Sequence, residues 1–267
     1  MILEDTYADV IQKAIRGLGL DLETAAGRAG ITPAAFKRAL ESSPDRSALE
    51  AIAGGLGLDP RSLVAIALGT YRPECGQAPK GLHMFSTPFG DMMVNSYLVR
   101  DPQTGRAAAF DTGTDCDGLL EAVRAHALKM ESVFLTHAHG DHIYDLDRLV
   151  EKSGARAWSA EPVGGARIFE PGSRFSIGEL KVSTRLTCGH SPAGITYFIE
   201  GLSRPVAIVG DALFAGSMGG GNISYQDALR TTRAQILGLP ADTLLCPGHG
   251  PLTTVALERA NNPFFPA

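Results

Sequence analysis

Five of the seven histidines in this chain stand where side chains could gather around metal ions. Three of them fall within His137-Ala138-His139-Gly140-Asp141-His142. Imidazole nitrogen and carboxylate oxygen are the usual donors for zinc, and they serve iron or manganese less selectively. On extended backbone alternate side chains project the same way, so His137 and His139 can address one ion. Asp141 and His142, past the permissive Gly140, can reach towards another. No cysteine interrupts the run, which argues against a structural zinc knot. The competing reading is a polar loop with solvent-facing histidines. It sits badly with three imidazoles and a carboxylate at the end of an apolar strand.

The segment that must position this run is Glu131 to Thr136, a short apolar stretch that reads as a buried strand. Three later segments repeat the arrangement: Thr187 to Gly194, Val209 to Phe214 and Cys246 to Pro251. Each follows a strand-like stretch and places one metal-competent residue, His190, Asp211 or His249, beside glycine or proline. Read alone, His190 and His249 are loop histidines with ordinary hydrogen bonds, and Asp211 is a turn former. Read with the six-residue run, they make an ordered set. The chemistry that follows is hydrolysis. A single zinc lowers the pKa of bound water from about 15.7 to roughly 7, so a water shared by two cations supplies hydroxide at neutral pH. An ion can also polarise a scissile carbonyl and stabilise the oxyanion that forms. No Gly-x-Ser-x-Gly elbow is present, so acyl-serine chemistry has no support.

The order His-x-His-x-Asp-His, then His, Asp and His, resembles the metallo-β-lactamase-fold hydrolases, and within them glyoxalase II and its shorter relatives. The resemblance rests on Thr136 to His142, Gly189 to Gly194, Gly210 to Ser217 and Pro247 to Thr254, with Glu258 and Asn262-Pro263-Phe264 following. It spans residues 79 to 267. It implies an α+β fold, the αββα sandwich, with two β-sheets face to face and helices outside. It further implies that His137, His139 and His190 bind a first divalent ion, that Asp141, His142 and His249 bind a second, and that Asp211 bridges them. Zinc is the favoured ion, with iron or manganese as alternatives. Asp111, in Phe110-Asp111-Thr112-Gly113, matches an element that orients a ligating histidine. Asp141 would also orient a metal-bound hydroxide. The implied reaction is hydrolysis of a small-molecule thioester or related ester or lactone.

The chain departs from these relatives in two places. Gly219, Gly220, Gly221 and Asn222 stand where short relatives carry arginine and aspartate. Only 18 residues follow His249, whereas longer glyoxalase II enzymes have a helical domain that grips glutathione. Two other functions stay open: a mononuclear iron persulfide dioxygenase, which uses a similar metal-loop motif, and a metal- or ligand-responsive DNA-binding regulator. Tyr144 reads as a core aromatic, with a contact to a substrate oxygen as the alternative.

Before residue 79 the chain changes character. Apolar residues recur at helical spacing through Tyr7 to Leu18, Leu22 to Ala29, Thr32 to Leu40, Ser47 to Leu56 and Pro60 to Leu68, which predicts five short helices. Asp21, Thr32 and Asp59 suit N-caps, Pro33 and Pro60 first helical positions, and Gly19 and Gly57 helix ends. Residues 1–78 form a small all-α bundle and linker ahead of a 79–267 catalytic unit. Leu22 to Phe36 and Ala48 to Leu58 resemble the helix-turn-helix domains of the Cro and lambda-repressor type. Residues 1–75 nevertheless carry eight Lys/Arg against ten Asp/Glu, and duplex affinity comes largely from neutralised phosphates. Only Lys37 and Arg38 suit DNA, with Glu41 close behind. DNA binding through residues 1–78 is therefore disfavoured against a packing, dimerisation or substrate-lid role, and a homodimer stays open.

At 267 residues, 44% hydrophobic and 20% charged, the chain can bury a sizeable core. A net charge of -5 gives no polyanion-binding signal. The first residues lack the basic-then-apolar order of a secretory signal, and no run approaches the roughly 18 apolar residues of a membrane span. No membrane association and a cytoplasmic location are the expectation. Cys75, Cys116, Cys188 and Cys246 are scattered without a Cys-x-x-Cys pair, which argues against a disulfide framework. From residue 82 the pattern predicts a hairpin of Leu82 to Thr87 and Met92 to Val99 around residues 88–91, a strand at Ala107 to Asp111 and a helix at Gly118 to Lys129. It predicts a helix at Leu146 to Ser153 and strands near Ala157, Arg167 to Phe169, Leu180 to Leu186, Ile195 to Glu200 and Pro205 to Val209. Helix Gln226 to Leu237, strand Thr243 to Cys246 and helix Thr253 to Asn261 complete it.

Overall fold

The computed structural model describes residues 2–41 and 45–266; Met1, residues 42–44 and Ala267 lie outside it. Five helices open the chain: α1 (Tyr7–Gly17), α2 (Leu22–Ala29), α3 (Pro33–Glu41), α4 (Arg46–Leu56) and α5 (Pro60–Ala67). Their ends follow from local chemistry. Asp21 and Asp59 accept hydrogen bonds from the amides of Thr24 and Ser62, satisfying first-turn donors that the helix leaves unpaired. Thr32 does the same for Ala35. Thr6 and Asp9 close a reciprocal capping box on α1. Gly30 and Gly57 end α2 and α4 in the left-handed region, where a Cβ would be costly.

Beyond the linker come β1 (Leu82–Phe89), β2 (Met92–Arg100), β3 (Arg106–Phe110), α6 (Asp117–Ala125), β4 (Lys129–Phe134), α7 (Gly140–Ile143), α8 (Leu146–Ser153), β5 (Arg156–Ser159) and β6 (Arg167–Ile168). These six strands form one sheet in chain order, antiparallel from β1 to β3 and parallel from β3 to β6. The second sheet runs β12-β11-β10-β9-β8-β7. It comprises β7 (Arg174–Ile177), β8 (Leu180–Leu186), β9 (Ile195–Glu200), β10 (Val206–Gly210), β11 (Leu244–Pro247) and β12 (Thr253–Thr254), with α9 (Tyr225–Gln235) and α10 (Val255–Asn261) between and after them. Only β10 and β11 are parallel there. The architecture is the α+β sandwich of two sheets with outer helices, preceded by the helical region.

Four local expectations change. The helix predicted to Lys129 ends at Ala125, because Ala127 turns into the left-handed region and Lys129 pairs with Arg106. The first hairpin extends to a Phe89–Met92 pair, leaving only Gly90 and Asp91 in its turn. Thr253 and Thr254 pair with β11 before the last helix starts, and Thr254 caps that helix. Strand β7, four residues long and mostly solvent-facing, is too short for its alternation to stand out.

Period-two alternation assigns the layers. Tyr97, Phe110, Phe134, Tyr197, Ile208 and Cys246 point between the sheets. Their neighbours Leu98, Ala109 and Val133 face α6 and α8. Phe198, Ala207, Val209 and Leu245 face the other way, and there they share one core with Val10, Ile11, Ala14, Phe36, Leu49 and Ile52 of the first five helices. Each fully buried large side chain contributes about 1.5–3 kcal/mol. The front helices therefore cover the second sheet's outer face together with α9 and α10. Among the described residues no helix is long and apolar enough to cross a membrane.

Candidate metal centre

Strand ends deliver the candidate ligands to the seam between the sheets. From the first sheet, β3 leads to Asp111, β4 to His137 and His139, and the single turn α7 carries Asp141 and His142. From the second, His190 follows β8, Asp211 follows β10 and His249 follows β11. Strand β2 ties the two sides. Tyr97 Oη and Asn95 Nδ2 both donate to the Pro247 carbonyl, at 2.6 and 3.1 Å, and the Asn95 amide donates to the Gly248 carbonyl at 2.7 Å.

All seven predicted ligands converge, in two groups. The donor atoms of His137, His139, His190 and Asp211 lie within 4.8 Å of one another, as do those of Asp141, His142 and His249. His139 Nδ1 is 3.0 Å from both His137 Nε2 and His190 Nε2. Asp211 joins the groups: Oδ2 is 3.4 Å from His190 Nε2 and 3.5 Å from His249 Nε2, and Oδ1 is 3.3 Å from His142 Nε2. Asp141 Oδ2 lies 3.2 Å from His249 Nε2 and 3.6 Å from His142 Nε2.

The outward nitrogens of four rings are held, and this sets their tautomers. His142 Nδ1 donates to Asp111 Oδ2 at 2.8 Å, His249 Nδ1 to the Met93 carbonyl at 2.8 Å, and His190 Nδ1 to the Gly220 carbonyl at 2.9 Å. His137 Nδ1 donates to Thr136 Oγ1 at 3.0 Å, and that hydroxyl passes its own hydrogen to Asp111 at 2.8 Å. Each ring thus turns a lone pair at Nε2 inward. Asp111 adopts φ 55°, a left-handed conformation that Asp tolerates better than most residues and that clusters at functional sites. Its carboxylate also accepts from the Thr136 amide at 2.7 Å.

These residues fit divalent cations on their own chemistry. The inward ring nitrogens and the carboxylates of Asp141 and Asp211 crowd together at 3.0–3.6 Å. His142 Nε2 and Asp211 Oδ1 are buried without a well-formed hydrogen bond, which is costly unless a further partner is supplied. Burial works against ionised Asp211, yet the neighbouring His142, and then His137 and His249, hold its carboxyl well below the usual range. Burial likewise opposes a charged His142, but Asp211 and Asp111 raise it well above an ordinary histidine. Burial, then the neighbouring His142, pushes His137 well below. Among the described residues no lysine or arginine bonds Asp111, Asp141 or Asp211, so these carboxylates suit a cation between them.

Several supporting residues escaped sequence reasoning. Thr136 carried no signal beyond its strand, and Glu161, which accepts from the Ala138 amide at 2.9 Å, lies 23 positions away. Glu258, part of the resemblance but without a role there, is fully buried. It takes hydrogen bonds from Tyr71 Oη (2.6 Å), Thr253 Oγ1 (2.7 Å), Asn262 Nδ2 (2.8 Å) and the Gly216 amide (2.9 Å). Tyr144 is 69% exposed, so its expected core role is corrected: it follows α7 outward. His83 and His126 lie against each other elsewhere, tilted by 36° with ring centres 5.6 Å apart.

Residues 89–249 match the Metallo-beta-lactamase superfamily. A probable metallo-hydrolase of Bacillus subtilis (strain 168), YqgX, is 31% identical over 207 residues, which cover 67% of this chain and 95% of that protein. The crystal structure of ETHE1 from Myxococcus xanthus is 26% identical with a TM-score of 0.60, covering 68% of this chain and 83% of its own. That of TTHA1623 in a di-iron-bound form is 27% identical with a TM-score of 0.56, covering 67% of this chain and 99% of its own.

Proposed function

The chain belongs to the metallo-β-lactamase superfamily, and from that premise we propose that it is a two-metal hydrolase of thioesters, or of related esters and lactones. The observation that carries this reading is the shared carboxylate: Asp211 faces both donor groups at once, with one oxygen and a neighbouring imidazole nitrogen left without partners. The di-iron form of TTHA1623 supports a pair of ions. His137, His139 and His190 would hold one ion and Asp141, His142 and His249 the other, with Asp211 between. Two such ions supply a water nucleophile at neutral pH and a Lewis acid for the scissile carbonyl. Zinc is favoured by the nitrogen-rich donor set, with iron or manganese as alternatives.

The chain's own residues do the positioning. Asp111 keeps His142 in one tautomer, the Met93 and Gly220 carbonyls do the same for His249 and His190, and Asp141 would orient the hydroxide besides holding metal. The Phe214 ring lies against His249, 5.6 Å between ring centres, and shields that side from water. A cavity of about 730 Å³ borders His249 through Met93 and Gly250, a size suited to a small substrate. Ile2, Leu3, Met92, Met93 and Pro251 give it apolar surface. Its charged lining among the described residues is Glu4, Asp5, Asp9 and Asp91, of which Asp5 is paired with Lys13 while Asp9 and Asp91 keep the lining acidic. Like charge repels an anionic group, so we read the substrate as uncharged there and disfavour glutathione thioesters and phosphoesters.

The test is metal analysis coupled to a panel of small thioesters, esters, lactones and phosphoesters. About two ions per chain, with thioester or ester turnover abolished by chelation, is the expected result. One iron per chain with oxygen consumption and no hydrolysis would overturn it in favour of a mononuclear iron persulfide dioxygenase. DNA binding altered by a ligand of the 79–267 region, without turnover, would favour a regulator.

A further inference from the structure

Lys13 of α1 reaches 205 positions along the chain to the loop that leaves Asp211. Its ammonium donates to the Met218 carbonyl at 2.9 Å, pairs with Asp5 Oδ2 at 2.5 Å and lies 4.8 Å over the Phe214 ring centre. The same Asp5 oxygen accepts from Ser217 Oγ at 2.5 Å. The two charged side chains are only 14% and 10% exposed, so water neither screens nor replaces the pair. What they clasp is the stretch between two candidate ligand sites. Phe214 packs against His249, Phe214 and Ser217 bond each other's backbone, the Gly219 amide donates to the Asp211 carbonyl, and the Gly220 carbonyl holds His190. A second contact grips the far end. Tyr225 packs so closely on Gly17 of α1 that a Cβ there would fall 2.3 Å from its ring, and a Cβ on Gly221 would meet Tyr225 Cα at 2.5 Å. Beside the centre, Glu4 lies against Gly250, the residue after His249, at 3.0 Å from where a Cβ would stand.

We infer that Lys13 and Asp5 are positioning residues of the metal centre, and that the helical front end is a working part of this active site. This rests on the two-metal reading. The family match begins only at residue 89, and 95% of YqgX's own length aligns with 67% of this chain, so the front helices lie outside the family match. Here the charged side chains that brace the Asp211 loop come from the extra segment. They act through Phe214, Met218 and the glycine run and touch no candidate ligand themselves.

The experiment compares the full-length chain with Lys13→Met, Lys13→Met/Asp5→Asn and an exposed control, Lys37→Met. In chelator-treated protein, amide hydrogen exchange across residues 212–222 should quicken at least tenfold in Lys13→Met and stay unchanged in the control. Zinc affinity of the weaker site, read by chelator competition, should fall by roughly 10–100-fold, the range for groups that orient ligands. The double variant removes the unpaired buried charge, so its thermal stability should return while loop exchange and zinc affinity remain impaired. Wild-type exchange in Lys13→Met, or recovery of all three properties together in the double variant, would overturn the inference. Should the wild type take up fewer than two ions, the two-metal reading falls, while loop exchange still decides whether Lys13 positions the loop.

Discussion

The two sheets supply the candidate centre in different ways. The first gives four ligands from one short stretch, His137 to His142, backed by Asp111 on the adjacent parallel strand. The second gives three ligands, His190, Asp211 and His249, each alone on its own loop. A dense run at one strand end is rigid because neighbouring backbone holds it. Isolated ligands depend on whatever packs around their loops, and around the second sheet that includes helices from the opposite end of the chain. Substitutions that neither ligate nor bond a ligand directly should therefore disturb metal binding on the second-sheet side and only stability on the first.

The largest effect is expected from Asp211→Ala, which removes the carboxylate facing both donor groups. Metal content by mass spectrometry and hydrolytic turnover should fall together, turnover by at least about a hundredfold; full turnover with unchanged metal would remove Asp211 from the bridge. Next comes Gly219→Ala, whose new Cβ would stand 2.1 Å from the Asp211 carbonyl oxygen and 2.8 Å from His190 Nδ1. One of those groups must move, so zinc affinity should drop roughly 10–100-fold. Wild-type affinity would mean that the second-sheet loops are as self-sufficient as the first-sheet run.

Tyr71→Phe is smaller. It removes a 2.6 Å hydrogen bond to buried Glu258, which also accepts from the Gly216 amide and Asn262. Urea denaturation should register about 1–2 kcal/mol, with some loss of metal affinity through the Gly216 loop. The smallest effect belongs to the first-sheet side. Asp145 accepts from Arg148 and from the Cys116 amide, and the Arg148 hydrogen bonds, against some burial, hold its carboxyl down to about 2. A depressed carboxylate stabilises the fold above its ordinary value of 3.8 and loses that contribution as pH falls towards about 2. Asp145→Asn should cost about 1 kcal/mol at pH 7, should converge with wild type in acid, and should leave metal affinity unchanged.

The same contrast explains what was legible beforehand. The first-sheet run announces itself because six consecutive residues carry four donors. His190, Asp211 and His249 become legible only as an ordered series, and through their resemblance to a known family. The five front helices were readable from spacing and caps, since both are local. Their placement was not: apolar residues at helical spacing say that a face is buried, never against which sheet. Lys13 and Asp5 carried no signal beyond a place in the charge count, because the groups that bury them, Met218 and Ser217, lie more than 200 positions away. Glu258 had a motif but no role until Tyr71, Thr253 and Gly216 gathered round it.

The undivided core beneath the front helices bears on how the chain is made. Helices α1 to α5 leave the ribosome before the second sheet, and the surfaces that complete their underside, from Phe198 to Phe265, are translated more than a hundred residues later. At about 5–20 residues per second, that underside stays bare for on the order of ten seconds. Nascent chains stalled before residue 198 should thus bind hydrophobic holdases, and release should await the closing helix.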